Sequence, residues 1–323
     1  MVKVITMVKD EVDIIKDWVL YHSFLFGFNN IYVIDNYSTD GTYEELLKFG
    51  NLINVSRQSN YTEKGNYMRS YIDKYCDPEE IAFPIDTDEF IVYYDPINKI
   101  LSTDKDDILH YIQSLPPHNV YKMNQIGIKY TNNDVVNYPN GFMHAPIEAK
   151  YGFLCEFNIF NKGFINSSIN HGNIDMGNHF LTNNHYKTNL CLIHYHCRNL
   201  EQIKKKILNN ILGLGYKNDL NFLIELQKTQ HVKGIHHVNN QIAVLKNEFI
   251  IHPSNNDVLD IDLTDFCDLI IDLNTIDITT IDLNTQTNSN KNINDNIFIK
   301  MELNKLSKKK TQILKQIIHK KNN

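Results

Sequence analysis

Three carboxylates, Asp86, Asp88 and Glu89, follow directly on the apolar run Ile81-Ala82-Phe83-Pro84-Ile85. Residues 81–85 read as a buried strand, and side chains two apart on extended backbone share one side, so Asp86 and Asp88 are expected to face a single point. Two carboxylates held that way repel unless a cation sits between them. Hard oxygen ligands at the end of a strand suit Mg²⁺ or Mn²⁺, which leave positions open for phosphate oxygens. Against this stands the solvated acidic turn, the commoner meaning of a lone Asp-x-Asp. The neighbouring polar clusters decide between them.

One such cluster is Asp35-Asn36-Tyr37-Ser38-Thr39-Asp40-Gly41-Thr42, which follows the apolar Ile31-Tyr32-Val33-Ile34. Another is Leu190-Cys191-Leu192-Ile193-His194-Tyr195-His196-Cys197-Arg198. Its two cysteines and two histidines invite a zinc reading. In a strand, however, His194 and His196 face one side while Cys191, Tyr195 and Cys197 face the other, so four ligands do not converge. The histidines can instead add nitrogen ligands to the ion held by Asp86 and Asp88, although a lone imidazole is a weak signal. The basic stretch 199–214 carries Lys204-Lys205-Lys206, and one lysine of this run, Lys204 as its first member, can reach a pyrophosphate.

The elements that must position these groups alternate. Residues 2–8 read as a strand, and a helix follows with Val12, Ile15, Trp18, Val19 and His22 at helical spacing. Asp10 is expected as its N-cap and Gly27 as its close. Strands at 31–34 and 52–55, helices at 43–49 and 66–76, and the strand 81–85 continue the alternation. Strand and helix in turn, with short connections, predict an α/β fold whose sheet is covered on both faces. Ligands of such sheets sit beyond the carboxyl ends of strands, where Asp35 and Asp86 both lie. A helix at 104–115 and a strand at 120–130 come next, and 132–188 is loop-rich, the place where an acceptor pocket would be built. Helical segments are expected at 220–226 and 241–250. The tail repeats Ile-Asp-Leu at positions 261, 271 and 281, then runs through a polar linker into a Lys-rich amphipathic helix at 297–321.

Composition narrows the function class. The 323 residues are enough to bury a full core, with 42% hydrophobic and 22% charged side chains, ordinary for a globular protein. A net charge of −6 gives nothing to attract nucleic acid or anionic membrane. Apolar runs are too short for a membrane helix or secretory signal, so the expected location is cytoplasmic. Five scattered cysteines argue against a disulfide framework.

With these pieces in hand, the chain resembles the family-2-like glycosyltransferases, most closely the branch around glycosyltransferase family 92. The matching pieces are Lys9-Asp10-Glu11 with Trp18-x-x-x-His22 and Gly27; Asp35-Asn36-x-Ser38-x-Asp40-Gly41-Thr42; Ile85-Asp86-Thr87-Asp88-Glu89-Phe90; and Ile193-His194-Tyr195 before a basic helix. The resemblance departs at Asp10, where relatives usually carry Asn. It implies an A-type glycosyltransferase fold with a Rossmann-like mixed sheet, a nucleotide-sugar donor, usually UDP-linked, and Mn²⁺ or Mg²⁺. It further implies that Asp35 contacts the nucleoside, with Asn36, Asp40 and Gln58 beside it, and that Lys9 and Glu11 sit at the donor edge. Asp86 and Asp88 fall to the ribose and the metal-bound diphosphate, and His194 to the metal or the diphosphate; His196 is the second histidine that can add a nitrogen ligand to the metal. Residues 1–235 would form the catalytic domain and 236–323 an accessory region able to pair copies of the chain.

An inverting transfer to a glycan or protein hydroxyl needs a base on the acceptor side. Glu148, Glu156 and Asp175 are the candidates, Asp175 favoured by its Gly-rich surroundings. The alternatives are a sugar nucleotidyltransferase, which usually has a Gly-rich phosphate loop where Met7-Val8-Lys9-Asp10-Glu11 has no glycine, and a non-catalytic nucleotide or glycan binder.

Overall fold

The computed structural model describes residues 1–117, 120–155, 162–166, 174–179, 185–229, 231–254 and 260–278. In chain order the elements are β1 Val2–Val8, α1 Ile15–Phe26, β2 Ile31–Asp35, α2 Thr42–Leu47, β3 Asn54–Arg57, α3 Lys64–Tyr75, β4 Ile81–Pro84 and β5 Glu89–Asp95. Then come β6 Ile100–Ser102, α4 Lys105–Ser114, β7 Val120–Ile128, α5 Asn132–Asn137, α6 Ala145–Glu148, β8 Tyr151–Cys155, β9 Gly163–Asn166 and β10 Tyr186–His194. Helices α7 Leu200–Gly213, α8 Leu220–Gln227 and α9 Ile235–Leu245 precede β11 Asp260–Asp262 and α10 Thr264–Asn274.

The architecture is α/β, built on one mixed sheet of order β3-β2-β1-β4-β9-β7-β10-β5-β6, with β8 joining β7 to β11. The first four strands are mutually parallel, in the order of a nucleotide-binding half. Beyond β4 the sheet turns antiparallel at β9, and β10 runs parallel to β7 but antiparallel to β5. That pairing sets His194 opposite Glu89, so the ends of two distant sequence motifs meet across one ladder.

Alternation along β1 explains how both sheet faces are covered. Val2, Val4 and Val8 pack with Trp18, Val19 and Leu25 of α1, whereas Ile5 and Met7 pack with Met68 and Ile72 of α3. Such period-two placement is what a β-branched, doubly buried strand requires.

Helix α1 begins four residues later than the sequence pattern suggests, because Asp10 has φ of 54° and does not cap it. Left-handed backbone is tolerated by Asp and Asn, whose short side chains bond locally. Here Asp10 accepts from Thr39 N at 2.7 Å and Asn209 Nδ2 at 3.0 Å, tying three segments together instead of starting a helix.

The boundary expected at 235/236 falls among elements that pack together. Val238 and Ile242 of α9 share a small core with Ile211 and Leu223. Phe266, Cys267 and Ile270 of α10 join the main core, with Phe266 edge-on to Tyr21 at 5.2 Å. Of the Ile-Asp-Leu units, the one at 261 begins in strand β11 and the one at 271 lies in helix α10. The unit at 281 and the Lys-rich segment lie outside the described residues. Among the described residues no helix is long and apolar enough to cross a membrane.

Candidate active site

Strand β4 ends at Pro84, and residues 85–88 turn tightly into β5. Glu89 N donates to Asp86 O at 3.2 Å, and Asp86 N donates to the buried Glu89 carboxylate at 2.9 Å. The turn is pinned from behind by α1: Trp18 Nε1 donates to Glu89 O at 3.0 Å and Tyr21 Oη to Ile91 O at 2.6 Å. From the β10 side, Tyr195 N donates to Asp88 O at 2.8 Å.

Asp86 and Asp88 sit on a turn and not on a strand, and both line one cleft, each with its own cationic partners. The Asp86 carboxylate takes Lys64, Lys162 Nζ at 2.6 Å and Asn178 Nδ2 at 3.0 Å. Burial opposes its ionisation, but Lys162 and Lys64 outweigh burial and hold the carboxyl well below the usual range. Asp88, buried to 1% exposure, accepts from Lys206 and lies 3.6 Å from His194 Nε2 and 3.8 Å from Arg198 Nη1. Again burial is overridden, by Lys206 first and then His194 and Arg198, and the carboxyl stays ionised. Side-chain cations thus stand against both carboxylates.

Asp88, His194 and His196 offer ligand atoms that all lie within 4.8 Å of one another, an arrangement able to hold a metal ion. Asp86 is outside that group. Burial lowers and Asp88 raises the His194 pKa, with Asp88 prevailing. His196 is held low, first by the Lys206 ammonium and then by burial, so its imidazole is neutral, the form that binds metal. Lys206 Nζ stands 3.4 Å from His196 Nδ1 as well as on Asp88.

Beside this group opens a cleft of about 410 Å³ at the carboxyl ends of β1, β2 and β4. Lys9, Lys64 and Lys206 bring positive charge to its wall, Asp86, Asp88 and Glu11 negative charge, and Asn36, Asn209 and Asn210 amides. Tyr61 closes one end against Gly213, where an added Cβ would lie 2.8 Å from the tyrosine ring. On α7 the residues 206, 209, 210 and 213 form one stripe, while Ile203, Ile207 and Ile211 face inward. The helical period of that stretch therefore singles out Lys206, not Lys204, whose side chain makes no hydrogen bond or ion pair among the described residues. Lys205 pairs with Asp40 at 3.0 Å.

Asp35 and Asp40 do not line the cleft. Asp35 is fully buried, accepting from Ser38 N at 3.1 Å and Arg57 Nε at 2.9 Å. Asp40 accepts from Thr42 N at 3.0 Å and Val12 N at 3.2 Å. Gln58 contributes its backbone, accepting from Asn36 Nδ2 at 2.6 Å, and the cleft wall is made by Ser59, Asn60 and Tyr61 after it. Glu11 lines the cleft and also pairs with Arg198.

Arg198 is one residue of the candidate site that sequence reasoning passed over. It is 2% exposed, with Nε 2.8 Å from Asp13 Oδ2, an ion pair to Glu11 and Nη1 donating to Tyr195 O at 3.0 Å. Nothing local marks it, since its partners lie at the other end of the chain. Lys162 and Asn178 were missed for the same reason.

Of the acceptor-side carboxylates, Glu148 accepts from His144 N at 3.0 Å at the edge of α6 and does not line the cleft. Glu156 lies outside the described residues. Asp175 is tied to Gly177 N at 2.9 Å, His179 N at 2.7 Å and His179 Nδ1 at 2.9 Å. Burial is outweighed by those bonds, His179 foremost, and the Asp175 carboxyl is held below its ordinary value, making it a poor base. Its turn is seated on α3, where a Cβ at Gly65 would fall 1.9 Å from Ile174 O. The turn reaches the site through Asn178 on Asp86 and Gly177 O on Lys162.

No family model matches the sequence, and no curated protein matches it. Among solved structures, residues 1–349 of S. aureus TarS in complex with UDP align at 12% identity over 76% of this chain and 70% of that one, with a TM-score of 0.38. A second crystal structure of residues 1–349 of S. aureus TarS gives 0.37 at 12% identity, over 77% and 71% of the two chains. Glucosyl-3-phosphoglycerate synthase from Mycobacterium tuberculosis, in complex with Mg²⁺ and UDP, gives 0.33 at 10% identity over 67% and 80%. At this level the likeness is coarse, and nothing about this chain's ligands follows from it.

Proposed function

We propose that this chain is a metal-dependent glycosyltransferase of the family-2-like kind, moving a sugar from a nucleotide-sugar donor, UDP-linked, to a glycan or protein hydroxyl with inversion. The observation that carries the reading is the cleft itself. It joins three lysines and several amides to a carboxylate–imidazole group at the carboxyl ends of parallel strands, the place and chemistry a nucleoside diphosphate requires.

In this reading Lys9, Lys64 and Lys206 face the diphosphate, Asn36 and Asn209 fix the ribose, and the Tyr61 ring stacks on the base. Asp88, His194 and His196 hold the ion, a donor set of two nitrogens and one oxygen that suits Mn²⁺ better than Mg²⁺. When bound, such an ion neutralises charge growing on the leaving phosphate. Asp86 keeps Lys64 and Lys162 aligned along the same wall.

Titrating UDP into the protein by calorimetry, with and without Mn²⁺, and screening nucleotide sugars for metal-dependent hydrolysis test the proposal. UDP binding strengthened by Mn²⁺, with release of UDP from one donor, is expected. Binding without turnover of any donor would leave a nucleotide-binding protein, and no UDP binding would remove the reading altogether.

A further inference from the structure

The ammonium of Lys206 holds the place where a metal ion would be. It donates to Asp88 Oδ2 and stands 3.4 Å from His196 Nδ1, atoms of two of the three residues that form the candidate metal group. A divalent cation bonded to those atoms would sit within contact distance of the ammonium, and at that separation two positive charges repel strongly. The two occupants exclude each other. Lys206 also lines the cleft, and a lysine stem of four carbons is flexible enough to swing its charge from one anion to another.

We propose that Lys206 is a resident counter-cation that competes with the divalent ion for Asp88 and His196, so that metal enters when a diphosphate in the cleft draws the ammonium away. Metal and diphosphate then bind cooperatively, because each makes room or charge for the other. Asp88 keeps Arg198 at 3.8 Å and His194 at 3.6 Å whichever occupant is present, so the exchange does not strip a buried carboxylate of all partners. The inference rests on the metal group of the reading above but not on sugar transfer.

The test is Mn²⁺ binding to the full chain without nucleotide, followed by the electron paramagnetic resonance signal of free Mn²⁺, for wild type, Lys206→Met and Lys206→Arg. Removing a unit charge at contact distance is expected to tighten Mn²⁺ by about tenfold or more in Lys206→Met, whereas Lys206→Arg stays at or below wild type. Adding UDP should tighten Mn²⁺ in wild type and do so much less in Lys206→Met. Thermal melts confirm that each variant is folded. Equal Mn²⁺ affinity in folded wild type and Lys206→Met, or no Mn²⁺ binding by either, overturns the inference. Metal-free UDP titrations keep the outcomes apart: if UDP binds while Lys206→Met leaves Mn²⁺ affinity unchanged, the competition fails and the nucleotide reading stands. If Lys206→Met tightens Mn²⁺ and UDP binds no variant, the competition stands and the nucleotide reading fails.

Discussion

Two acidic loops end neighbouring parallel strands, and they are held by different physics. After β2, Asp35 and Asp40 each take one cation, Arg57 and Lys205, and their other partners are backbone and hydroxyl donors of Ser38, Thr42 and Val12. After β4, Asp86 and Asp88 are held by cations: Lys64, Lys162, Lys206 and, at 3.8 Å, Arg198. A loop closed on itself is a structural joint. A loop whose carboxylates rest on movable ammonium groups can exchange those partners for a ligand, which is why the second loop borders the cleft through both aspartates and the first only through Asn36.

The sharpest way to break this contrast is Asp88→Asn. It keeps the shape but leaves Lys206, His194 and Arg198 around a neutral group in a buried place, and removing one partner of a buried ion pair typically costs about 3–5 kcal/mol. Urea unfolding should show that loss together with loss of Mn²⁺ binding. A cost below about 1 kcal/mol, the range of exposed pairs, would place the second loop in the same class as a solvated turn.

A second test acts on the support behind the carboxylate turn. His22 is fully buried, with Nδ1 2.9 Å from Trp18 O and Nε2 accepting from Ile91 N at 3.5 Å. Protonation would set an N–H against the Ile91 N–H, and burial, outweighing the Trp18 carbonyl, lowers the pKa from 6.5 to about 3. The unfolded chain therefore takes up a proton near pH 6.5 that the folded chain refuses. Stability contributed by neutral His22 is complete above pH 6.5 and is lost as pH falls towards 3, at about 1.4 kcal/mol per pH unit. Melts between pH 6.5 and 5 should show about 2 kcal/mol of this loss in wild type and a flatter profile in His22→Gln. An unchanged slope would mean that other groups set the acid limit.

How much of this was legible in the sequence follows the same division. The strands at β1, β2 and β4 and the Asp35–Thr42 loop were readable, because period-two apolar runs and Asx-type donors act within a few residues. Asp88 and His194 were readable as lying at strand ends, where β5 and β10 pair. Their partners were not: Lys162 lies 76 positions from Asp86, Lys206 118 from Asp88, and Arg198 187 from Glu11. Only the fold brings them near. The strand pattern placed Asp86 and Asp88 on extended backbone, whereas they lie on the turn after β4, with both still lining the cleft. Lys206 alone had a local signal, the helical phase it shares with Asn209, Asn210 and Gly213 against the isoleucine face of α7.

Within the first loop, Ser38→Ala removes the acceptor of Asp10 N, 2.9 Å away in a buried place, and Thr42→Val removes the acceptor of Glu11 N, also at 2.9 Å. Each should lower unfolding free energy by about 1–2 kcal/mol, the cost of one buried amide left without its partner, with Mn²⁺ affinity unchanged. A change in Mn²⁺ binding in either variant would show that the joint and the exchanging loop are one unit.

The smallest expected effect comes from a residue adjacent to the most consequential one. Lys205 and Lys206 follow each other on α7, yet the first serves Asp40 and the second Asp88. The Lys205 side chain is 34% exposed and its partner Asp40 keeps three other donor contacts, from Thr42 N, Thr42 Oγ1 and Val12 N. A half-exposed pair of this kind is screened by water and salt, so Lys205→Met should change stability by less than about 1 kcal/mol and leave Mn²⁺ affinity at the wild-type value. Because the two substitutions remove the same charge from the same helix one residue apart, any nonspecific effect of lowering the positive charge of α7 must appear in both. A tightening of Mn²⁺ seen in Lys206→Met and absent in Lys205→Met therefore belongs to the contact with Asp88 and His196, and an equal tightening in both would assign it to the general field of the helix.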